Sequence, residues 1–153
     1  LAAVRPERRV SRSGADARLV AASIGGDLYE ALLKRSPDML PVINNVAWLR
    51  SKTGKPEARA LAERGLKLNP DYAPLRDTYA TVLANEKDYA KAVSQQRQLV
   101  SDLPDQPAYR FNLAEILLKS GDKAGAKQEL EGLAKLGPKL PQQAQVQEML
   151  KSL

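Results

Sequence analysis

The sequence predicts an all-α, right-handed solenoid of helix hairpins closed by a C-terminal capping helix, and three observations predict it. The first is a phrase that returns along the chain: SPDMLP at Ser36–Pro41, NPDYAP at Asn69–Pro74 and LPDQP at Leu103–Pro107. Its Pro-Asp pairs begin at 37, 70 and 104, and with Pro138 the spacings are 33, 34 and 34 residues. A fixed period of that size marks an array of stacked helical units. The second is composition. The 153 residues are 43% hydrophobic and 27% charged but only 5% aromatic, enough to bury a core and rich in helix formers such as Ala, Leu, Lys, Glu and Gln. The third is a pair of recurring small residues. Ala47, Ala80 and Ala114 stand ten residues after each Pro, and Ala58, Ala92 and Ala126 stand twelve before the next. Small side chains at matched places on two helices let their backbones approach and set one crossing.

Taken in order, residues 1–13 have no hydrophobic period and carry Arg5, Glu7, Arg8, Arg9 and Arg12, so they read as a disordered or loosely packed basic tail. The chain opens on Leu1 rather than Met and reads as a fragment or processed chain, from which a targeting segment can be missing. Residues 14–36 read as a degenerate helix pair: Leu19, Val20 and Ile24, a break at Gly25-Gly26, then Asp27 and Glu30 as a capping box before Leu28, Leu32 and Leu33.

Three regular units follow, at 37–69, 70–103 and 104–137, each with two helices. Pro41, Pro74 and Pro107 fit the first turn of the first helix, where the missing N–H has no partner to lose. Breaks are expected at Thr53-Gly54-Lys55-Pro56, at Asn85-Glu86-Lys87 and at Ser120-Gly121, with second helices starting from Pro56, Asp88 and Asp122, the two Asp as N-caps. Counting five, nine and twelve from each Pro gives Val42, Val46, Leu49; Leu75, Tyr79, Val82; and Tyr109, Leu113, Ile116, one apolar stripe per unit. Residues 139–153 supply an amphipathic capping helix through Val146, Met149, Leu150 and Leu153.

Across residues 37–138 these features resemble the tetratricopeptide repeat, a helix pair of about 34 residues with small residues at the crossing and Pro closing each unit. There are departures. The aromatic that opens the second helix is present only as Tyr89, with Pro56 and Lys123 elsewhere, and Lys87 stands where Gly is usual. The first unit is one residue short, and a tighter inter-helix turn is expected there. The runs NNVAWL (44–49), GKPEARALAERGLKLNPDYAP (54–74) and RDTYA (76–80) are also similar to the last repeats of bacterial tetratricopeptide lipoproteins of exopolysaccharide-secretion and exosortase systems. That likeness implies an extracytoplasmic scaffold, periplasmic or outer-membrane-associated rather than cytoplasmic. The lipid-bearing Cys of such proteins is not in this chain, so membrane association would come only through a missing anchor.

The resemblance implies a protein or peptide partner held in a concave groove lined by the first helices. The residues seven, eleven and fourteen after each Pro face that way. Among them stand Asn44 and Trp48, Asp77 and Thr81, Phe111 and Glu115, with Asn45 and Asn112 flanking at the eighth place. Trp48 and Phe111 are aromatic anchors of the sort that dominate recognition surfaces, unless the end units cover them. Asn44 stands where carboxylate-clamping relatives have Lys, and Trp48 where they have Asn, so a clamp for C-terminal carboxylates is not supported.

Other classes fare worse. With no Cys and no His, thiol and imidazole catalysis and most zinc sites are excluded. Asp38, Asp71, Asp105, Asp88 and Asp122 all fall at expected helix starts, where capping and the helix dipole account for them. No phosphate loop, metal spacing or nucleophile motif occurs, so no enzyme, cofactor, metal or small-molecule substrate is expected. The formal charge of +6 and the N-terminal Arg5, Arg8, Arg9, Arg12 and Arg18 leave one alternative, a basic module contacting nucleic acid or an anionic surface. No aromatic is interleaved with those arginines, which argues against base reading.

Overall fold

The computed structural model describes the backbone of residues 14–153 and the side chains of residues 25–153. The basic stretch 1–13 and its arginines lie outside the described residues. The described chain is helical throughout: α1 (Gly14–Arg35), α2 (Leu40–Lys52), α3 (Ala58–Leu68), α4 (Ala73–Asn85), α5 (Tyr89–Asp102), α6 (Pro107–Ser120), α7 (Lys123–Ala134) and α8 (Gln143–Lys151), with a 3-10 turn at Gly137–Lys139 before α8. Each Pro-Asp phrase ends one unit and starts the next. Pro41, Pro74 and Pro107 occupy the first turns of α2, α4 and α6. Hairpins α2–α3, α4–α5 and α6–α7 stack so that α2, α4 and α6 lie side by side.

The small residues sit at the crossings. Ala47, Ala80, Ala92, Ala114 and Ala126 are fully buried and Ala58 nearly so. Of the apolar stripe, Val42, Val46, Leu75, Tyr79, Val82, Leu113 and Ile116 are buried, while Leu49 and Tyr109 are half-buried. Ile43, Leu83 and Leu117 add a second buried row, so each first helix is covered on two sides: by its own second helix and by the neighbouring unit. Gly65 shows how tight this is. A Cβ there would lie 2.5 Å from Leu75 of the next unit and 2.8 Å from Ile43 of its own.

The C-terminal unit is closed as the amphipathic pattern requires. Val146 is buried, and Met149, Leu150 and Leu153 pack over Ala114, Leu130, Leu133 and Leu140. Asp122 caps α7, accepting the Gly125 backbone N–H at 2.8 Å. Asp88 makes no cap bond; its carboxylate takes Arg59 instead at 3.4 Å.

The structure corrects three expectations. Residues 14–35 form one helix, not a pair broken at Gly25-Gly26. Each interior Gly costs about 1 kcal/mol relative to Ala, a penalty that packing on a neighbour can absorb. With no new helix start there, Glu30 is not a cap partner; Arg50 holds it through two bonds of 2.8 Å. Within α1 the expected stripe is rotated, since Tyr29 and Leu33 pack on the core while Leu28 is exposed. Finally, the short first unit does not have the tighter turn. Residues 53–57 separate α2 from α3, against 86–88 between α4 and α5, and the shortening falls on α3, with 11 residues against 14 in α5. Gly54 and Glu57 both take positive φ there (66° and 70°), and Pro56 supplies no N–H, so the helix starts late. At Lys87, where the repeat has Gly, φ is +66°.

Candidate functional site

The first helices α2, α4 and α6 together border a groove of ≈ 620 Å³. Trp48 and Lys52 from α2, Asp77 and Thr81 from α4, and Phe111, Asn112 and Glu115 from α6 line it, and Pro141, Gln142 and Gln145 close its C-terminal end. Stacking brings these residues together because equal distances from the Pro-Asp phrase fall on one line along successive first helices.

Six of the eight residues singled out from sequence line this groove. Trp48 remains 41% exposed, so the preceding helix does not bury it. The Lys52 ammonium lies 5.7 Å from its ring centroid, a cation–π distance. Phe111 is half-buried, one side against the cluster that includes Met149 and Leu150. The Thr81 hydroxyl donates back to the Asp77 carbonyl at 3.1 Å. Glu115 is exposed.

Asn44 and Asn45 are not groove-lining. The Asn44 amide oxygen accepts the Thr78 hydroxyl at 2.7 Å, and its nitrogen donates to Asn45 Oδ1 at 3.4 Å. The half-buried Asn44 amide joins α2 to α4 with Asn45 bracing it from the same helix, which leaves less to offer a bound backbone.

The groove floor is a polar knot. Asp77 accepts from Gln96 Nε2 at 2.6 Å and from Asn112 Nδ2 at 2.7 Å. The same Gln96 nitrogen also donates to the Tyr109 carbonyl at 2.9 Å. Burial pushes the Asp77 carboxyl above the usual range; the two amide bonds pull it back, and Glu115 pushes it further up. At the rim, a ladder of side chains 34 residues apart runs across the units. Lys119 Nζ donates to Asn85 Oδ1 at 3.0 Å, and Asn85 Nδ2 donates to Ser51 Oγ at 2.7 Å. Burial, and then Lys52 nearby, hold the Lys119 ammonium below its usual range.

The comparisons agree with this architecture. The family model described as Tetratricopeptide repeat matches residues 83–152, from late α4 through α8. Over that stretch the chain resembles a tetratricopeptide repeat protein. Twenty-two chains of solved structures also match the fold. Among them is one titled MamA AMB-1, with a TM-score of 0.60 at 20% sequence identity, covering 89% of this chain and 73% of that one. No curated protein matches the sequence. The described residues form an all-α solenoid of helix hairpins, in agreement with both matches.

Sequence reasoning missed Lys52, Gln96 and the closing segment at 141–145. Gln96 did carry a signal: eight residues before a unit-closing Pro, it occupies the place of Ala62 and Leu130, both fully buried. A polar residue at a core position marks a buried hydrogen-bond hub. The closing segment lies beyond Pro138, outside the repeat's own register.

Proposed function

We propose that this chain is a non-catalytic scaffold that holds a segment of a partner protein in the concave groove. One observation carries the reading: Trp48, 41% exposed, opens into the same groove as Phe111 and the Asp77–Asn112 pair. An aromatic of that size left uncovered in an otherwise well-packed array is an anchor waiting for a surface, and such anchors carry about 2 kcal/mol or more of binding. The lining offers the Glu115 carboxylate and, at the C-terminal end, the amides of Gln142 and Gln145 for a partner's polar groups. We place the scaffold in an envelope exopolysaccharide-secretion system, periplasmic or bound to the outer membrane through an anchor outside this sequence; the likeness of residues 44–49, 54–74 and 76–80 to such lipoproteins supports this. No described helix is long and apolar enough to cross a membrane.

The test is affinity capture from envelope extracts with the wild-type chain, and then the same captured partner measured against Trp48→Ala and Glu115→Gln. Weakening by roughly thirtyfold for Trp48→Ala is expected. Undiminished binding by both variants would remove the groove from the interface.

A further inference from the structure

We infer that the third unit holds a ligand pocket, separate from the groove, that takes an organic monocarboxylate with a short apolar body, the carboxylate pairing with Arg110.

The second and third units, set side by side, differ at one linked group of residues. Arg76 and Arg110 both stand six residues after the Pro of their phrase, Pro70 and Pro104. In the second unit Arg76 donates to Asp102 Oδ2 at 2.6 Å, and Gln98 Nε2 donates to Asp102 Oδ1 at 2.8 Å. Asp102 and Gln98 stand two and six residues before Pro104. Two and six residues before Pro138 the third unit has Leu136 and Gly132. The arginine is kept, while its carboxylate and the amide that braced that carboxylate are both gone.

The loss leaves a space as well as a cation. A pocket of ≈ 310 Å³ opens between the start of α6 and the end of α7, with Arg110 in its wall. The Arg110 side chain is 37% exposed, against 18% for the paired Arg76. Glu129 approaches Arg110 Nε at 3.5 Å without bonding geometry, and that buried nitrogen has no hydrogen-bond partner among the described residues. Lys139 adds a second cation to the lining and Asp105 one carboxylate, so the wall is balanced by a single negative charge. A dianion would be set against Asp105. Pro104, Pro107 and Leu136, the last 45% exposed, form the apolar part of the wall. A carboxylate matches the planar guanidinium fork in the way Asp102 matches Arg76. The volume lies at the small end of ligand pockets, which suits an acid of about six carbons. That carboxylate can come from a free acid or from an acidic side chain of a bound protein.

The probe is hexanoate titrated into the full chain and followed by the backbone amide signals of Gly132 and Gly137, with hexanamide and inorganic phosphate as controls. Saturable shifts with a Kd of about 1 mM are expected, in line with the few atoms such a ligand has. Arg110→Gln should weaken binding about tenfold or more. Leu136→Asp is the sharper variant, because it rebuilds inside the chain the pairing of Arg76 with Asp102. It should abolish hexanoate binding while keeping or raising the thermal midpoint. Trp48→Ala should leave hexanoate binding unchanged, so failure of this pocket and failure of the groove are separate results. Tighter binding of N-acetylglutamate N-methylamide than of hexanoate would uphold the pocket and name a protein side chain as the source; the reverse order would uphold it and name a free acid. Equal shifts with hexanamide or phosphate overturn the inference, as does a lack of saturation at tens of millimolar hexanoate. Full binding by Leu136→Asp overturns it too, and so does a lowered midpoint in that variant, which would show that Arg110 is not open to a carboxylate there.

Discussion

Gln96 and Asp77 meet at 2.6 Å beneath the groove floor, and this bond joins the second helix of one unit to its first helix, which lines the groove. Gln96 is fully buried; its Nε2 serves Asp77 and the Tyr109 carbonyl, while its Oε1 has no hydrogen-bond partner among the described residues. Replacing it with Leu, the residue at the equivalent position 130, supplies apolar volume but leaves Asp77 Oδ1 without its donor, with Asn112 still on Oδ2, and takes one of the donors from the Tyr109 carbonyl. Leaving buried acceptors unpaired costs about 1–3 kcal/mol, more than the added burial returns. Gln96→Leu should therefore lower the denaturant midpoint, and an unchanged midpoint would mean the knot is wet enough to be satisfied by water.

Asp77 makes stability pH-dependent in a direction opposite to that of a salt-bridged acid. Its folded-state pKa is raised, chiefly by burial, so the proton is held more tightly in the folded than in the unfolded chain. That contribution is present below the ordinary Asp range and is lost as pH rises through the folded pKa. Asp77→Asn keeps the shape and removes the buried charge. Relative to wild type it should be most stable at about pH 7 and lose that advantage toward about pH 4. Urea midpoints at several pH values report the difference directly, and one that grew on acidification would reverse the assignment.

Two glycines in second helices should respond oppositely to Ala. Helix propensity favours the change by about 1 kcal/mol at both. At Gly132 the added Cβ meets only Arg110 at an ordinary 3.5 Å, so Gly132→Ala should stabilise. At Gly65 it meets Leu75 at 2.5 Å and Ile43 at 2.8 Å, both fully buried. Overpacking of about 1–3 kcal/mol then outweighs propensity, and Gly65→Ala should destabilise. Thermal melts of the pair decide it, since shifts of the same sign would contradict the packing.

Lys87 holds a left-handed φ of +66° at the α4–α5 turn. That geometry costs a residue with a Cβ about 1–2 kcal/mol, partly offset by the entropy Gly loses on folding. Lys87→Gly should raise stability by up to about 1 kcal/mol. Lys87→Val, with a branched Cβ, should lower it.

Trp48 is the sole tryptophan, so emission reports on the groove alone. A partly exposed ring should emit to the red of a buried one, and Trp48→Ala should cost far less stability than Leu113→Ala, expected at about 2–5 kcal/mol. A fully blue-shifted maximum in the free protein would make Trp48 a core residue.

Much of this was legible from spacing. The Pro-Asp phrase and the six alanines placed the hairpins, because backbone punctuation and small crossing residues are local signals that tertiary packing reuses rather than overrides. Gly25-Gly26 misled for the same reason: local cost suggested a break, and packing on α2 outweighed it. The aromatic anchors could be placed on one face by counting from Pro. The amides could not be assigned that way. Whether Asn44 serves a ligand or Thr78 depends on which hydroxyl lies within 2.7 Å, a fact of three dimensions with no periodic signature.

The rim ladder has an arrow. A lysine ammonium only donates, so the Asn85 oxygen must turn toward Lys119 and its nitrogen toward Ser51, whose hydroxyl proton must then point elsewhere. One charge on the last unit thus sets the dipole sense of a polar edge that spans three units. Lys119→Met would leave the two neutral groups free to reverse, and the rim would present to a partner a mixture of orientations where the wild type presents one.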